Sequence, residues 1–213
     1  MSIKNKTVTG LKWSFVDKTL DQVLHFVIGI VLARLLSPAE YGTIGMIMVF
    51  VAISETIINS GLSSALIRKP NCREIDFNTM FYTNIAFGLL TFSALFFSSD
   101  AIARFYNNPD LSILSKVMAL NLIINSFGLV ETAILTKNIN FKRQTRISFT
   151  ASIVSGVVGI TMAALGFGYW SLVAKTMSQN LVRVGMLRFL SDWRPRIQYS
   201  IESFKEMFGF GVK

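Results

Sequence analysis

The chain of 213 residues is 52% hydrophobic and only 15% charged, where ordinary soluble domains carry roughly a quarter charged residues, and its mean hydropathy is +0.51. A soluble fold would have nowhere to hide so much apolar surface, and residues 77–99 and 147–174 contain no Asp, Glu, Lys or Arg at all, runs as long as the ~20 residues a membrane-crossing helix needs. The net charge of +9 could suit nucleic acid, but its distribution along the chain argues against that reading, and the single cysteine and single histidine leave no disulfide within the chain and no metal cluster.

Six hydrophobic segments follow in order. Backbone groups have no water partner in lipid, so continuous apolar runs of this kind are expected to be helices rather than barrel strands of alternating polarity. The first, residues 9–36, is the least apolar and carries Lys12, Asp17, Lys18, Asp21 and His25. No removable signal peptide is expected ahead of it, because a compact apolar core with a small-residue cleavage site is missing. Ser37-Pro38 followed by Glu40 predicts a capped helix start with proline in the first turn. The second segment, 41–67, holds one charge, Glu55. Lys69-Pro70-Asn71 reads as a loop. The third segment spans 78–103, and Asn107-Asn108-Pro109-Asp110 ends it. The fourth, 111–136, carries Lys116 and Glu131, the latter expected to reach the interface. The fifth, 145–167, has Ser152, Ser155, Gly156 and Gly159 at close-packing spacing. Gly166-Phe167-Gly168 allows a tight hairpin into the sixth, 169–190, which carries Lys175 and Arg183. Trp193-Arg194-Pro195-Arg196 closes that unit, and 201–210 reads as an amphipathic or starting helix. The domain division expected is a transmembrane lobe over 1–196 and a connection or first helix of a further lobe over 197–213.

Lys and Arg fall in every second loop. Lys4, Lys6 and Lys12, then Arg68, Lys69 and Arg73, then Lys137, Lys142, Arg143 and Arg146, then Arg188, Arg194, Arg196 and Lys205 share one side, while Arg34 and Arg104 take the other. This positive-inside alternation places the N-terminus in the cytoplasm. A basic patch for DNA would have no reason to recur with that period, so no nucleic-acid partner is expected. The basic loops can lie against anionic lipid headgroups.

Polar residues within spans are costly and tend to face a cavity or a partner helix. On the first segment Asp21 and His25 share a face and could relay a proton; the alternative is that Asp21 pairs with Lys18 near the interface. Glu55 and Asn59 share a face of the second segment, where Glu55 is either a cavity acid or hydrogen-bonded to a neighbouring helix. Asn121 and Asn125 lie one turn apart on the fourth, suited either to a ligand or to bonds between helices, and Asn84 on the third is equally ambiguous. Lys175, Gln179 and Arg183 recur every fourth residue on the sixth. A cationic stripe of this kind could attract a diphosphate, because Arg grips phosphate oxygens with two parallel hydrogen bonds; the alternative is that both cations snorkel to opposite surfaces. No glycine-rich phosphate loop, nucleophile triad or paired carboxylates with a base are present, so no enzyme activity and no cofactor are expected.

Several of these motifs resemble, in order, those of bacterial oligosaccharide flippases of the Wzx type: Ala33-Arg34-Leu35-Leu36-Ser37-Pro38 with Tyr41-Gly42, Gly61-Leu62-Ser63-Ser64-Ala65-Leu66-Ile67-Arg68, Ala103-Arg104-Phe105-Tyr106-Asn107-Asn108-Pro109, residues 138–146, Gly166-Phe167-Gly168-Tyr169-Trp170 and Trp193-Arg194-Pro195-Arg196. The resemblance implies an all-α membrane protein of the multidrug/oligosaccharidyl-lipid/polysaccharide exporter superfamily, built of two six-helix lobes around a central cavity and working by alternating access. It implies residence in the bacterial inner membrane and a polyprenyl-diphosphate-linked oligosaccharide as substrate. By that measure this chain is expected to hold the first lobe only, with a second lobe or a polysaccharide polymerase as possible partner. Lys175, Gln179, Arg183, Asn121, Asn125 and Asn59 are then the cavity candidates, and Asp21, His25 and Glu55 the coupling-ion candidates. Two readings stand beside this one: a drug or cation extruder of the same fold, and a membrane scaffold fragment that transports nothing.

Overall fold

A computed structural model describes Thr19, residues 22–59 and residues 62–211. The described residues are helical and loop, with no strand. Asp17, Lys18 and Asp21 lie outside them.

The helices are α1 (Gln22–Leu35), α2 (Pro38–Asn59), α3 (Leu62–Arg68), α4 (Glu74–Phe105), α5 (Asp110–Ser126), α6 (Leu129–Lys137), α7 (Phe141–Ala164), α8 (Trp170–Leu190) and α9 (Ile201–Gly211). The predicted start at Ser37 forms as a reciprocal cap. The Ser37 amide and hydroxyl donate to Glu40 at 2.6 and 2.8 Å, and the Glu40 amide returns to the Ser37 hydroxyl at 3.4 Å. These bonds occupy amides that a helix start otherwise leaves without partners. One of the six expected segments is interrupted among the described residues: the fourth divides into α5 and α6 at Phe127-Gly128, where the amides turn back to Ile124 and Asn125 in a tightened turn.

Four stretches are long and apolar enough to cross a membrane: Pro38–Arg68, Glu74–Phe105, Asp110–Lys137 and Phe141–Ala164. The sixth expected span, α8, falls short of that by composition because it holds Lys175, Arg183 and Arg188; of the first, only the apolar stretch Gln22–Leu35 is described. Helix α4 has 32 residues, about 48 Å at the helical rise, whereas the hydrocarbon layer is ~30 Å thick. Its charged ends, Glu74 and Asp76 at one and Asp100 and Arg104 at the other, therefore project beyond that layer.

The most extensive packing is between the antiparallel neighbours α4 and α5 and between α7 and α8. Small residues allow the close approach. A Cβ on Gly88 would come within 2.8 Å of the Ser126 hydroxyl, and one on Gly156 within 2.5 Å of Ile28. Ser152, Ser155, Gly156 and Gly159 are all buried, as their spacing predicts. The main core runs through Ile47, Val51, Ile58, Leu111, Leu114, Met118, Leu122 and Val173. Outside it Phe26, Ile53, Leu90, Phe97 and Val157 stand exposed, the surface expected of a protein whose solvent is lipid rather than water.

The bundle has a basic end, formed by the end of α3, the start of α4, the end of α6, the start of α7 and the end of α8, and an opposite end holding the α4–α5 and α7–α8 turns. At the basic end, the segment after α8 straps back across the start of α4. The Arg196 and Ser200 amides donate to Asn78 and Thr79 at 2.9 and 3.0 Å. Helix α9 then packs on α3 and α4 through buried Ser203 and Met207, with Lys69 bridging Asp76 at 3.1 Å and Glu206 at 2.8 Å. Lys137 donates to the carbonyls of Leu66 and Lys69 and so places a cation at the negative end of α3.

Candidate functional site

Five helices leave a cleft of about 360 Å³ between them in the half of the bundle nearer the basic end. Helices α2 and α3 contribute Glu55, Asn59, Ser63 and Ile67; α5 and α6 contribute Asn125, Leu129, Thr132, Ala133 and Thr136; α8 contributes Asn180 and Arg183. Asn125 before the α5–α6 break and Thr132 after it both line this space, and Arg183 lies within electrostatic reach of Glu55.

Four of the sequence-predicted residues thus meet: Glu55, Asn59, Asn125 and Arg183. Asn121 lies deeper. It is 1% exposed, and its carbonyl accepts from the Asn180 amide at 3.0 Å, so it secures α5 to α8 beneath the cleft. The stripe Lys175–Gln179–Arg183 is divided among different neighbours. Gln179 meets the His25 ring at 3.3 Å, tying α8 to α1. The Lys175 stem lies against Gly159 of α7, where an added Cβ would approach its Cβ to 3.0 Å. Neither Lys175, Gln179 nor His25 lines the cleft. Asn84 is fully buried on α4.

Sequence reasoning missed Asn180, Ser63, Thr132 and Thr136. A signal existed for Asn180, which stands three residues before Arg183 and so on nearly the same face; attention to the four-residue stripe passed over it. Glu131 was expected at the interface. Instead it is buried, with the Arg188 guanidinium 2.9 Å away, because α6 packs inward against α8 rather than running out along the bundle surface.

Chemically the cleft offers one guanidinium, one carboxylate, three amides and three hydroxyls on otherwise apolar helices. A guanidinium can grip phosphate oxygens in pairs, and the amides and hydroxyls can both donate to and accept from polyols.

Helical throughout its described residues, with four membrane-capable stretches and a polar cleft between helices, the chain is a multi-pass membrane protein. Residues 31–213 match the family described as polysaccharide biosynthesis protein, and the chain belongs to that family. It is 30% identical over 214 residues to the succinoglycan biosynthesis transport protein ExoT of Rhizobium meliloti, covering 99% of this chain and 43% of that protein. It is 25% identical over 218 residues to the lipopolysaccharide biosynthesis protein WzxC of Escherichia coli, covering 100% of this chain and 44% of that one. It is likewise 25% identical over 217 residues to the teichuronic acid biosynthesis protein TuaB of Bacillus subtilis, covering 99% and 44%. The chain therefore spans less than half the length of these curated relatives. No solved structure matches it.

Proposed function

We propose that this chain is one six-helix lobe of an inner-membrane flippase that moves a polyprenyl-diphosphate-linked oligosaccharide from the cytoplasmic to the outer leaflet. The observation that carries the reading is the cleft itself: Arg183 set among Glu55, Asn59, Asn125 and Asn180 on membrane helices. In this reading Arg183 takes the diphosphate, and the amides and hydroxyls take the first sugars. Repeat-based transporters place their substrate between halves, so residues 1–196 form one wall of the path and 197–213 lead toward a second lobe. Helix α8 counts as the sixth span because it runs antiparallel to α7 along its length, its cations turned to helices rather than to lipid; α1 belongs to the first. The gathering of Arg68, Arg73, Lys142, Arg146, Arg194 and Lys205 at one end supports a cytoplasmic location for that end and for the N-terminus. The relatives carry names of polysaccharide transport and biosynthesis, which fits a transporter rather than an enzyme.

The test is surface-polysaccharide output from a strain whose full-length protein carries Arg183→Ala or Arg183→Lys. We expect Ala to abolish output and Lys to retain part of it, since the charge survives but the paired grip does not. Undiminished output from Arg183→Ala removes the reading. Glu55 in the same cleft favours one alternative, a cation or drug extruder. Loss of drug resistance in the Glu55→Gln strain, with normal polysaccharide, would select it. Co-purification of a polymerase with a chain that exports nothing would instead select a scaffold.

A further inference from the structure

Glu131 is 1% exposed within a stretch apolar enough to cross a bilayer. A carboxylate there is costly unless a partner compensates it, and α8, α4 and the segment after α8 combine to do so. Arg188 of α8 approaches it at 2.9 Å, the Arg188 guanidinium sits 5.2 Å from the ring centre of Phe81 on α4, and Arg194 beyond α8 lies within electrostatic reach. The second observation lies just before Glu131. Gly128, at the break between α5 and α6, packs so tightly that a Cβ would come within 3.0 Å of Val184 and 3.2 Å of Leu187, both on α8. Helix α6 is thus joined to α8 at two points, by shape at Gly128 and by charge at Glu131. It has only nine residues, and its other side supplies Thr132 and Thr136 to the cleft opposite Arg183.

We propose that Glu131 and Arg188 form a positioning pair: they hold α6 against α8 so that Thr132 and Thr136 line the cleft, and when they part, α6 turns about Gly128 and widens the cleft toward the basic end. The pair touches no substrate; it acts through the wall it fixes. What the cleft serves rests on the flippase reading above, whereas the positioning rests on the helix contacts alone.

The test measures the wall directly in membranes containing the whole protein. A single cysteine is placed by Thr136→Cys in a Cys72→Ser background, and its labelling by a charged maleimide is timed. Glu131→Gln and Arg188→Gln should each speed labelling about tenfold, the change expected if the closed arrangement loses ~1.4 kcal/mol relative to the open one. The exchanged pair, Glu131→Arg with Arg188→Glu, should return the rate toward that of the parent. Loss of packing volume alone would not be repaired by exchanging the charges. Unchanged labelling in both single variants overturns the proposal, and so does an exchanged pair that labels as fast as they do. Should Glu131→Gln fail to insert, Arg188→Gln and the exchanged pair carry the same comparison. Because labelling does not depend on export, normal export in Arg183→Ala would sink the flippase reading while leaving this result standing, and the reverse also holds.

Discussion

The two ends of the bundle are built by different means. At the end opposite the basic one, long helices turn sharply, and the left-handed positions fall to residues that tolerate them: Gly166 at φ 82°, Gly168 at φ 57° and Asn107 at φ 50°. Contacts there come from short turns, the Ser37–Glu40 cap and the exposed Asp100–Lys116 pair. Toward the basic end the fourth segment breaks at Phe127-Gly128, polar groups bridge between elements, and the left-handed position after α6 is held by Ile139 at φ 54°, a β-branched residue for which that conformation is strained. One lobe thus combines an end closed by sharp turns with an end where a strap and buried ion pairs tie together elements far apart in the chain. The second kind of end is the one beside the cleft.

The largest expected effect lies at the basic end. The Asp76 side chain is sealed from solvent, accepts from the Arg73 amide at 2.8 Å and pairs with Lys69. Asp76→Ala should cost about 3 kcal/mol by removing the acceptor of the Arg73 amide and one of the two carboxylates that hold the largely buried Lys69 ammonium, and should loosen α9, seen as faster proteolysis after residue 190. If the loss is no greater than that of a surface carboxylate, the contrast between the ends fails. Next comes the close packing of α4 on α5 midway along the bundle. Gly88→Leu forces a side chain into Ser126 and should cost about 2 kcal/mol by overpacking, read as a lowered Tm in detergent. A matched pair of turn variants follows: Ile139→Gly should gain, and Gly166→Ala lose, about 1 kcal/mol, since each changes the fit of a side chain to a left-handed backbone. Opposite signs in the same melting assay would sharpen the comparison, and equal signs would break it.

A smaller effect concerns pH. Burial works against the charge on Lys69, but hydrogen bonds to Glu206 and Asp76 outweigh it and hold the ammonium above the ordinary lysine value of 10.5. A raised value adds stability that is fully present below the ordinary value and is lost as pH climbs through the raised one. The strap should therefore hold until the medium passes pH 10.5. Trp193, whose ring lies 5.8 Å from that of Phe81, would report its release by fluorescence, and a transition near neutrality would contradict the assignment. Smallest of all is the exposed pair Lys116–Asp100 at 3.2 Å, where Lys116→Ala should leave Tm unchanged within error.

Much of the architecture was legible because membrane helices announce themselves. Phe77 to Ser99 had to be helical in lipid, Ser37 to Glu40 had to start a helix, and the spacing from Ser152 to Gly159 pointed to close packing; each formed as expected. The cleft was legible only in part. A four-residue spacing says that Lys175, Gln179 and Arg183 share a face of α8, and it says nothing about which helix that face meets at each level. In the bundle the face passes α7 at Lys175 and α1 at Gln179 before reaching the cleft at Arg183.

Composition and charge alternation by themselves determined that the chain is helical, belongs in a membrane and gathers its cations at one end, because a bilayer admits few other solutions for such a sequence. Only the tertiary structure decided that Arg183 faces Glu55, that Asn180 belongs with them, and that Glu131 turns inward to Arg188. Those outcomes depend on where helices break and how closely neighbours approach, and both are settled by contacts between residues far apart in the chain.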